Sequence, residues 1–409
     1  MFDVFPMAMI DPINERSGRL DKLQLIALFG LMIIGTMFVC SATAARESAA
    51  LLPWYKQFWF HQIIWYVLGL GVAAALCLVD YHVLSRWSYV IYWVTIFCLI
   101  AVLIPHIGST HGWGARRWID LKVFQFQPSE FAKLSFILAT ASFLSRPPEE
   151  LRLPGIFWKS IGMMALPFLL IMKEPDLGSA LVLVPTGLAM MLVAGVPKDY
   201  LVKLIGGVGI FGVLCVIDIL FAPRSLQIPI HEYQRQRLLV YFHVDFAKSA
   251  ATPQQALEAR RLQEKSSYQG KQAVISVGSG GVFGKGWRKG NQAALGFLPA
   301  AAAHNDFIFS VIAEEEGFVG SLVVLTLYAV VLFTGLRIAG QARDRLGKLV
   351  AVGAVTLIFS HVFINIGMNI RIVPVTGIPL PLLSYGGSSV LCSLIALGLM
   401  QNVHIHRRG

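Results

Sequence analysis

Asp306 stands at the head of a long apolar run and is followed at once by Phe307 and Phe309. Desolvation by such neighbours raises the pKa of a carboxyl group toward neutrality, where it becomes an effective proton acceptor. An aspartate in that place is equally a favoured N-cap for the helix that follows, and residue types alone leave both readings open. Glu314 and Glu315 lie two turns deeper, where a carboxylate is costly unless paired. Lys133 or an outer arginine is the expected partner, and a proton relay or cation site is the competing functional reading.

Five more stretches carry charge or broken backbone. Arg116 and Arg117 are adjacent, and two forked donors side by side suit a phosphate. Pro128-Ser129-Glu130 reads as a helix opening, and Glu130 and Lys133 share a helix face at i,i+3. That pair is either a structural neutralisation or part of a site facing a cavity. Asp176, in the turn Lys173-Glu174-Pro175-Asp176, either caps the next helix or faces the same cavity as Asp306. Gly278 to Gly286 fails both phosphate-loop patterns, because Gly286 follows Lys285 and Phe283 takes a glycine's place. An amide-rich turn with Lys285 nearby survives, able to approach an anion. Between Arg371 and Ser389, Pro374, Pro379 and Pro381 with Gly377, Gly386 and Gly387 break the helix. Such backbone is tolerated at membrane depth where it lines a cavity, and Ser384 could hold a polar group there.

The elements that must position these residues are apolar. The chain of 409 residues is 56% hydrophobic and 14% charged, with mean hydropathy +0.65, which excludes an ordinary soluble enzyme and a disordered chain. Its apolar runs are continuous rather than alternating, so the fold class is an all-α polytopic membrane protein and not a barrel. Ten spans are expected: 23–43, 58–79, 87–105, 128–145, 155–172, 177–196, 201–221, 306–336, 348–370 and 386–404. Residues 1–22 read as a cytoplasmic tail. Residues 222–305 read as a large outer loop, with a helical insertion near 247–268 and an apolar re-entrant stub from Gln272 to Gly286. A short tail, 405–409, ends the chain.

The formal charge is +11. In a membrane protein this fits basic cytoplasmic loops and an anionic, lipid-linked substrate rather than nucleic acid. Arg16, Arg19, Lys22, Arg86, Arg146, Arg152, Arg343, Arg345 and Arg407 fall on one side, which places both termini in the cytoplasm. Ala42-Thr43-Ala44 imitates a signal-peptidase site, but the apolar run before it is long, and the first helix is read as retained. The five cysteines show neither a disulfide framework nor a metal-ligand spacing. No internal repeat of an inverted-repeat transporter is visible.

Taken in order and spacing, these motifs resemble the SEDS family of cell-wall proteins (shape, elongation, division and sporulation), from about residue 23 to 405. The matching pieces are Gly114 to Ile119, Gln127 to Leu134, Pro175 to Ser179, Val277 to Gly286, His304 to Phe309 with Glu314-Glu315, and Gly377 to Ser389. The resemblance implies a glycosyltransferase of the bacterial cytoplasmic membrane that polymerises lipid II into glycan strands. It also implies a class B penicillin-binding transpeptidase and the elongation machinery as partners, and Asp306 as the catalytic residue. The short N-terminal tail favours the elongation branch over the division branch. Ala300 stands where the family has a glutamate, Asn305 where it has threonine, Glu316 where an apolar residue is common, and the 247–268 segment is long.

On this reading Asp306 takes the proton of a sugar hydroxyl. Arg117, Lys133, Arg116 or Lys285 faces the diphosphate leaving group, with a divalent cation as the alternative. His304 orients Asp306 or meets sugar, and residues 374–387 shape a groove for the lipid. Two other classes stand beside it: a lipid II flippase using Glu130, Lys133 and Glu314 as a relay, and a scaffold without chemistry.

Overall fold

In hydrocarbon each backbone N–H and C=O must find its partner inside the protein, and an apolar run achieves this as a helix. The computed structural model describes residues 20–44, 53–105, 107–109, 116–120, 125–221, 232–246 and 252–408. The tail before residue 20, Gly114 and Ala115 of the arginine motif, and the first residues of the 247–268 insertion lie outside them.

Ten long helices match the ten expected spans. They are α1 (Lys22–Ala44), α2 (Phe58–Leu78), α3 (Tyr81–Leu103), α4 (Pro128–Leu144), α5 (Pro154–Lys173), α6 (Leu177–Ala194) and α7 (Lys198–Phe221). After the outer helices α8 (Glu232–Tyr241) and α9 (Pro253–Ser279) come α10 (Ile308–Gly340), α11 (Arg345–Asn369) and α12 (Gly387–Ile405). Among the described residues, nine are long and apolar enough to cross a membrane. The tenth, α4, has 17 residues, or about 25 Å of rise. It carries Glu130 and Lys133, and it is enclosed by α3, α6, α11 and α12.

Two helices begin earlier than the apolar runs. Asp80 accepts from the backbone N–H of His82 at 2.8 Å and starts α3, while Asp344 accepts from Gly347 N–H at 3.1 Å and starts α11. Caps bring the polar turns that follow them into the helix. The outer loop differs more. The described part of the insertion and the stub as far as Ser279 are one continuous helix, α9, capped by Thr252, and the apolar stretch after Gln272 is its last turns, packed on α10. Good helix formers run from Gln254 to Lys265 without a breaker, so the change from polar to apolar marks a change of surroundings and not of backbone.

The bundle centres on α11 and α12, which are buried along most of their length. α12 lies along α2, α1 along α10, and α11 touches α4, α6, α10 and α12. α7 stands apart, with only Leu201 and Ile219 buried.

Three short strands, β1 (Gly108–Ser109), β2 (Trp118–Asp120) and β3 (Gln125–Phe126), form an antiparallel sheet above α4. Elsewhere α10 breaks at Gly317, whose φ of 68° is left-handed. The glycine-rich loop after α9 fills the break. Lys285 and Gly286 N–H donate to the carbonyls of Glu314 and Glu315, and Phe318 and Val319 N–H donate to Gly281 and Val282. The amides expected to meet an anion are therefore committed to mending a helix. Gly284 has φ +73°, and a Cβ there would lie 2.1 Å from the Glu315 carbonyl oxygen. We expect Gly284→Ala to lower stability by about 2 kcal/mol or more, measured by thermal unfolding in detergent.

Candidate active site

Asp306 lies in the turn that precedes α10, and the main chain holds it. Its carbonyl accepts from Asn365 Nδ2 at 3.0 Å and from Asn369 Nδ2 at 3.1 Å, two amides one turn apart on α11. Asn365 Nδ2 also donates to Ile378 O at 2.7 Å, so a single side chain ties the Asp306 turn to the broken segment before α12. That segment is secured elsewhere by Tyr66 and Tyr328, whose hydroxyls donate to the carbonyls of Leu382 and Pro381, and by Gln62, which donates to Ser384 O at 3.1 Å. Ser384 Oγ accepts from Leu380 N–H at 2.7 Å and donates to Asn305 O at 2.6 Å. Tyr385 N–H donates to His304 O at 2.9 Å.

The cap reading of Asp306 fails. The N-cap of α10 is Phe307, and no side chain caps it. The Asp306 carboxyl instead reaches toward Gly377, with Oδ2 3.4 Å from where a Cβ on that glycine would stand. Gly377 has φ +80°, a conformation that suits glycine.

Asp306 lines a cavity of about 610 Å³ between the N-terminal ends of α2, α6 and α12 and the small sheet. Phe58, Trp65, Trp118 and Tyr385 give it aromatic walls, and Arg117, Gln125, Gln127, Asp176, Asn305, Ser388 and Ser389 give it polar groups. Aromatic faces interleaved with amides and hydroxyls suit a ligand with apolar faces and polar edges, such as a sugar. Arg117 is oriented by the carbonyls of Glu174, 3.4 Å from Nε, and Pro175. Asp176 caps α6 through Ser179 N–H at 3.2 Å and also accepts from Gln127 Nε2 at 3.3 Å, so both readings of that residue hold.

Burial pushes the Asp306 carboxyl up to about 6. The positive charges of Arg237 and then Arg117 work against burial, and the negative charge of Asp176 adds to it. Glu174, just after α5, is pushed up to about 9 by burial and by Asp176, with Arg117 opposing. It is buried, and neither carboxyl oxygen has a hydrogen-bond partner among the described residues, which favours the uncharged form.

The structure thus brings together Arg117, Asp176 and Asp306, and it separates the other expected residues from them. Arg116 is exposed. Lys133 Nζ lies 2.6 Å from Glu130 Oε1 and 2.8 Å from His361 Nε2, all three buried beside Pro381 and Cys392 in a small separate space. Glu314 is paired neither with Lys133 nor with an arginine. It accepts from Lys285 Nζ at 2.6 Å, Ser276 Oγ at 3.0 Å and Asn291 N–H at 2.8 Å, which removes Lys285 as well from the cavity. Glu315 accepts from Ser41 Oγ and from Arg288 N–H. His304 packs between Phe58 and Tyr385, with ring centroids at 4.9 and 5.6 Å, and supports the wall without lining it. Ser384 is committed to backbone. Among the described residues no three His, Cys, Asp or Glu side chains converge on an ion.

Sequence reasoning missed Asn365, Asn369 and Arg237. Two asparagines spaced i,i+4 inside an apolar run were the available signal, because buried amides need partners. Around Arg237 nothing local in the sequence indicates what it faces.

The family model for cell cycle proteins of the FtsW, RodA and SpoVE type matches residues 21–409. The chain is 32% identical over 392 residues to the peptidoglycan glycosyltransferase MrdB of Escherichia coli K12, covering 95% of each. It is 35% identical over 394 residues to the stage V sporulation protein E of Bacillus subtilis, covering 95% of this chain and 98% of that one. Among solved structures, a peptidoglycan synthase complex that coordinates polymerization and crosslinking contains a chain of the same fold. That match has TM-score 0.72 and 27% identity, over 95% of this chain and 98% of the other.

Asn365→Ala removes the donor to two buried carbonyls, one of which keeps Asn369. We expect a loss of about 2 kcal/mol, read as earlier thermal unfolding in detergent.

Proposed function

The chain belongs to the FtsW, RodA and SpoVE family, and from that premise we propose that it is a peptidoglycan glycosyltransferase of the elongation type, polymerising lipid II. One observation carries the chemistry: a carboxyl group freed from capping, raised to about 6, and set in a polar and aromatic cavity with a guanidinium across it.

In the proposed reaction the 4-hydroxyl of one GlcNAc attacks the anomeric carbon of MurNAc in a second molecule. The new C–O bond forms as the bond to the undecaprenyl diphosphate breaks, with inversion, and the hydroxyl proton passes to Asp306. A base with pKa near 6 is ionised at pH 7 yet basic enough to take a proton as the bond forms. Arg117 offsets the charge on the departing diphosphate. Lys133, expected to share that task, is instead neutralised by Glu130 within the bundle. The cavity lies at the end of the bundle read as outer, with both termini cytoplasmic. A class B penicillin-binding transpeptidase is the proposed partner, in keeping with the synthase complex that this fold resembles. The flippase relay loses its support, because Glu314 is held by Lys285 while Lys133 is held by Glu130 and His361.

Purified protein in detergent, supplied with lipid II, tests the reading by the glycan it makes. Asp306→Asn is expected to fold normally, because the turn is held by its carbonyl, and to lose polymerisation. Wild-type activity in the Asp306→Asn variant overturns the assignment. The wild-type rate is expected to fall as pH drops through about 6, because protonation removes the base. Arg117→Met is expected to slow the reaction about 10²-fold and to move that acid limb to higher pH, since Arg117 holds the carboxyl down.

A further inference from the structure

Arg237 does not line the Asp306 cavity, yet it is the foremost positive charge acting on Asp306, ahead of Arg117. It lines a shallow groove on the far side of the 373–379 segment, together with Tyr241 of α8, Gln269 of α9, and Arg371 and Val373. A contiguous hollow, again with Arg237, Pro374 and Val375, reaches Pro175, Leu177 and Thr376. Asp176 and Gly377, the neighbours of these last residues, line the cavity. One thin wall therefore has Asp306 and Arg117 along one side and two arginines along the other.

The backbone at Arg371 is a second observation. α11 ends with Ile372 N–H donating to Gly367 O at 2.8 Å, the six-to-one bond of a Schellman turn. The left-handed position of that turn strongly favours glycine, and here it is Arg371, with φ 59°. Tyr241 Oη donates to Ile372 O at 2.7 Å and ties α8 to the same turn. A strained conformation is kept at the residue that brings the second guanidinium to the groove.

Resting on the glycosyltransferase reading, we propose that this groove is a second anion subsite, in which Arg237 and Arg371 hold the diphosphate of the second lipid-linked substrate. Joining two such molecules places two diphosphates on one enzyme, the leaving group at the reacting carbon and the other at the far end of the attacking disaccharide, and one cation-lined cavity for both would force like charges together. A wall with arginines on both sides keeps them apart while both sugars reach Asp306. Forked guanidinium donors suit a diphosphate better than point charges do.

The test is polymerisation by the full chain in detergent with lipid II titrated, with inorganic pyrophosphate as a competing anion and thermal unfolding measured in parallel. Arg371→Gly is expected to unfold no earlier than wild type, since glycine fits the turn, and to raise half-saturating lipid II about tenfold. It should also weaken inhibition by pyrophosphate. Arg237→Gln is expected to do the same and to move the acid limb of the rate upward. Earlier unfolding of Arg371→Gly with unchanged half-saturation assigns Arg371 to the negative end of the α11 dipole and overturns the subsite. Weaker pyrophosphate inhibition with unchanged lipid II dependence leaves a groove for free anions and overturns it too. Wild-type protein that makes no glycan overturns instead the reading on which the subsite rests.

Discussion

A carbonyl released from a helix at membrane depth has no water to turn to, and the half of this protein that holds Asp306 is organised by where such carbonyls find donors. The chain breaks at Gly317 and again between Arg371 and Gly386, and each break is mended by a distant segment. The glycine-rich loop supplies N–H groups and carbonyls to the first. Tyrosines from α2 and α10, a glutamine from α2 and one asparagine from α11 supply the second. Asp306 is a by-product of this mending, because the donor that steadies Ile378 also holds its carbonyl. Its carboxyl is then free of structural duty.

Charge follows the same economy. Glu130 and Lys133 neutralise one another inside the bundle with His361 bonded to the lysine, and Glu314 and Lys285 do so at the edge of the mended kink. Each group joins segments far apart in sequence. A buried pair of this kind is weak evidence for added stability, but removal of one member leaves an uncompensated charge. With these groups committed to one another, Arg117 and Arg237 set the field at Asp306. The local charge balance is that of a carboxylate held between two guanidinium groups, with Asp176 and burial opposing them.

The ten spans were legible because length and apolarity are what a bilayer demands. The starts of α3 and α11 were not, since Asp80 and Asp344 draw polar turns into the helices and a hydropathy reading stops before them. α9 was divided in two because composition changes along it while its backbone does not. The Glu130–Lys133 pair could be read from i,i+3 spacing, whereas His361 lies on another helix and carries no local sign. Glu314 looked like a partner for Lys133 because depth alone was considered. The break at Gly317 brings Lys285 within reach, and one glycine's dihedral angle does not show in residue types. Asp306 could be picked out, but whether it capped its helix depended on a turn that only coordinates define.

The sparse packing of α7 has a consequence for the groove. A helix with two buried residues takes its tilt from the acyl chains around it more than from protein neighbours, and tilt answers to hydrocarbon thickness. α8, which carries Arg237, follows α7 in the chain and touches it. Bilayer thickness and lateral pressure are thereby variables of the molecule, felt first at the outer helix whose arginine acts on Asp306.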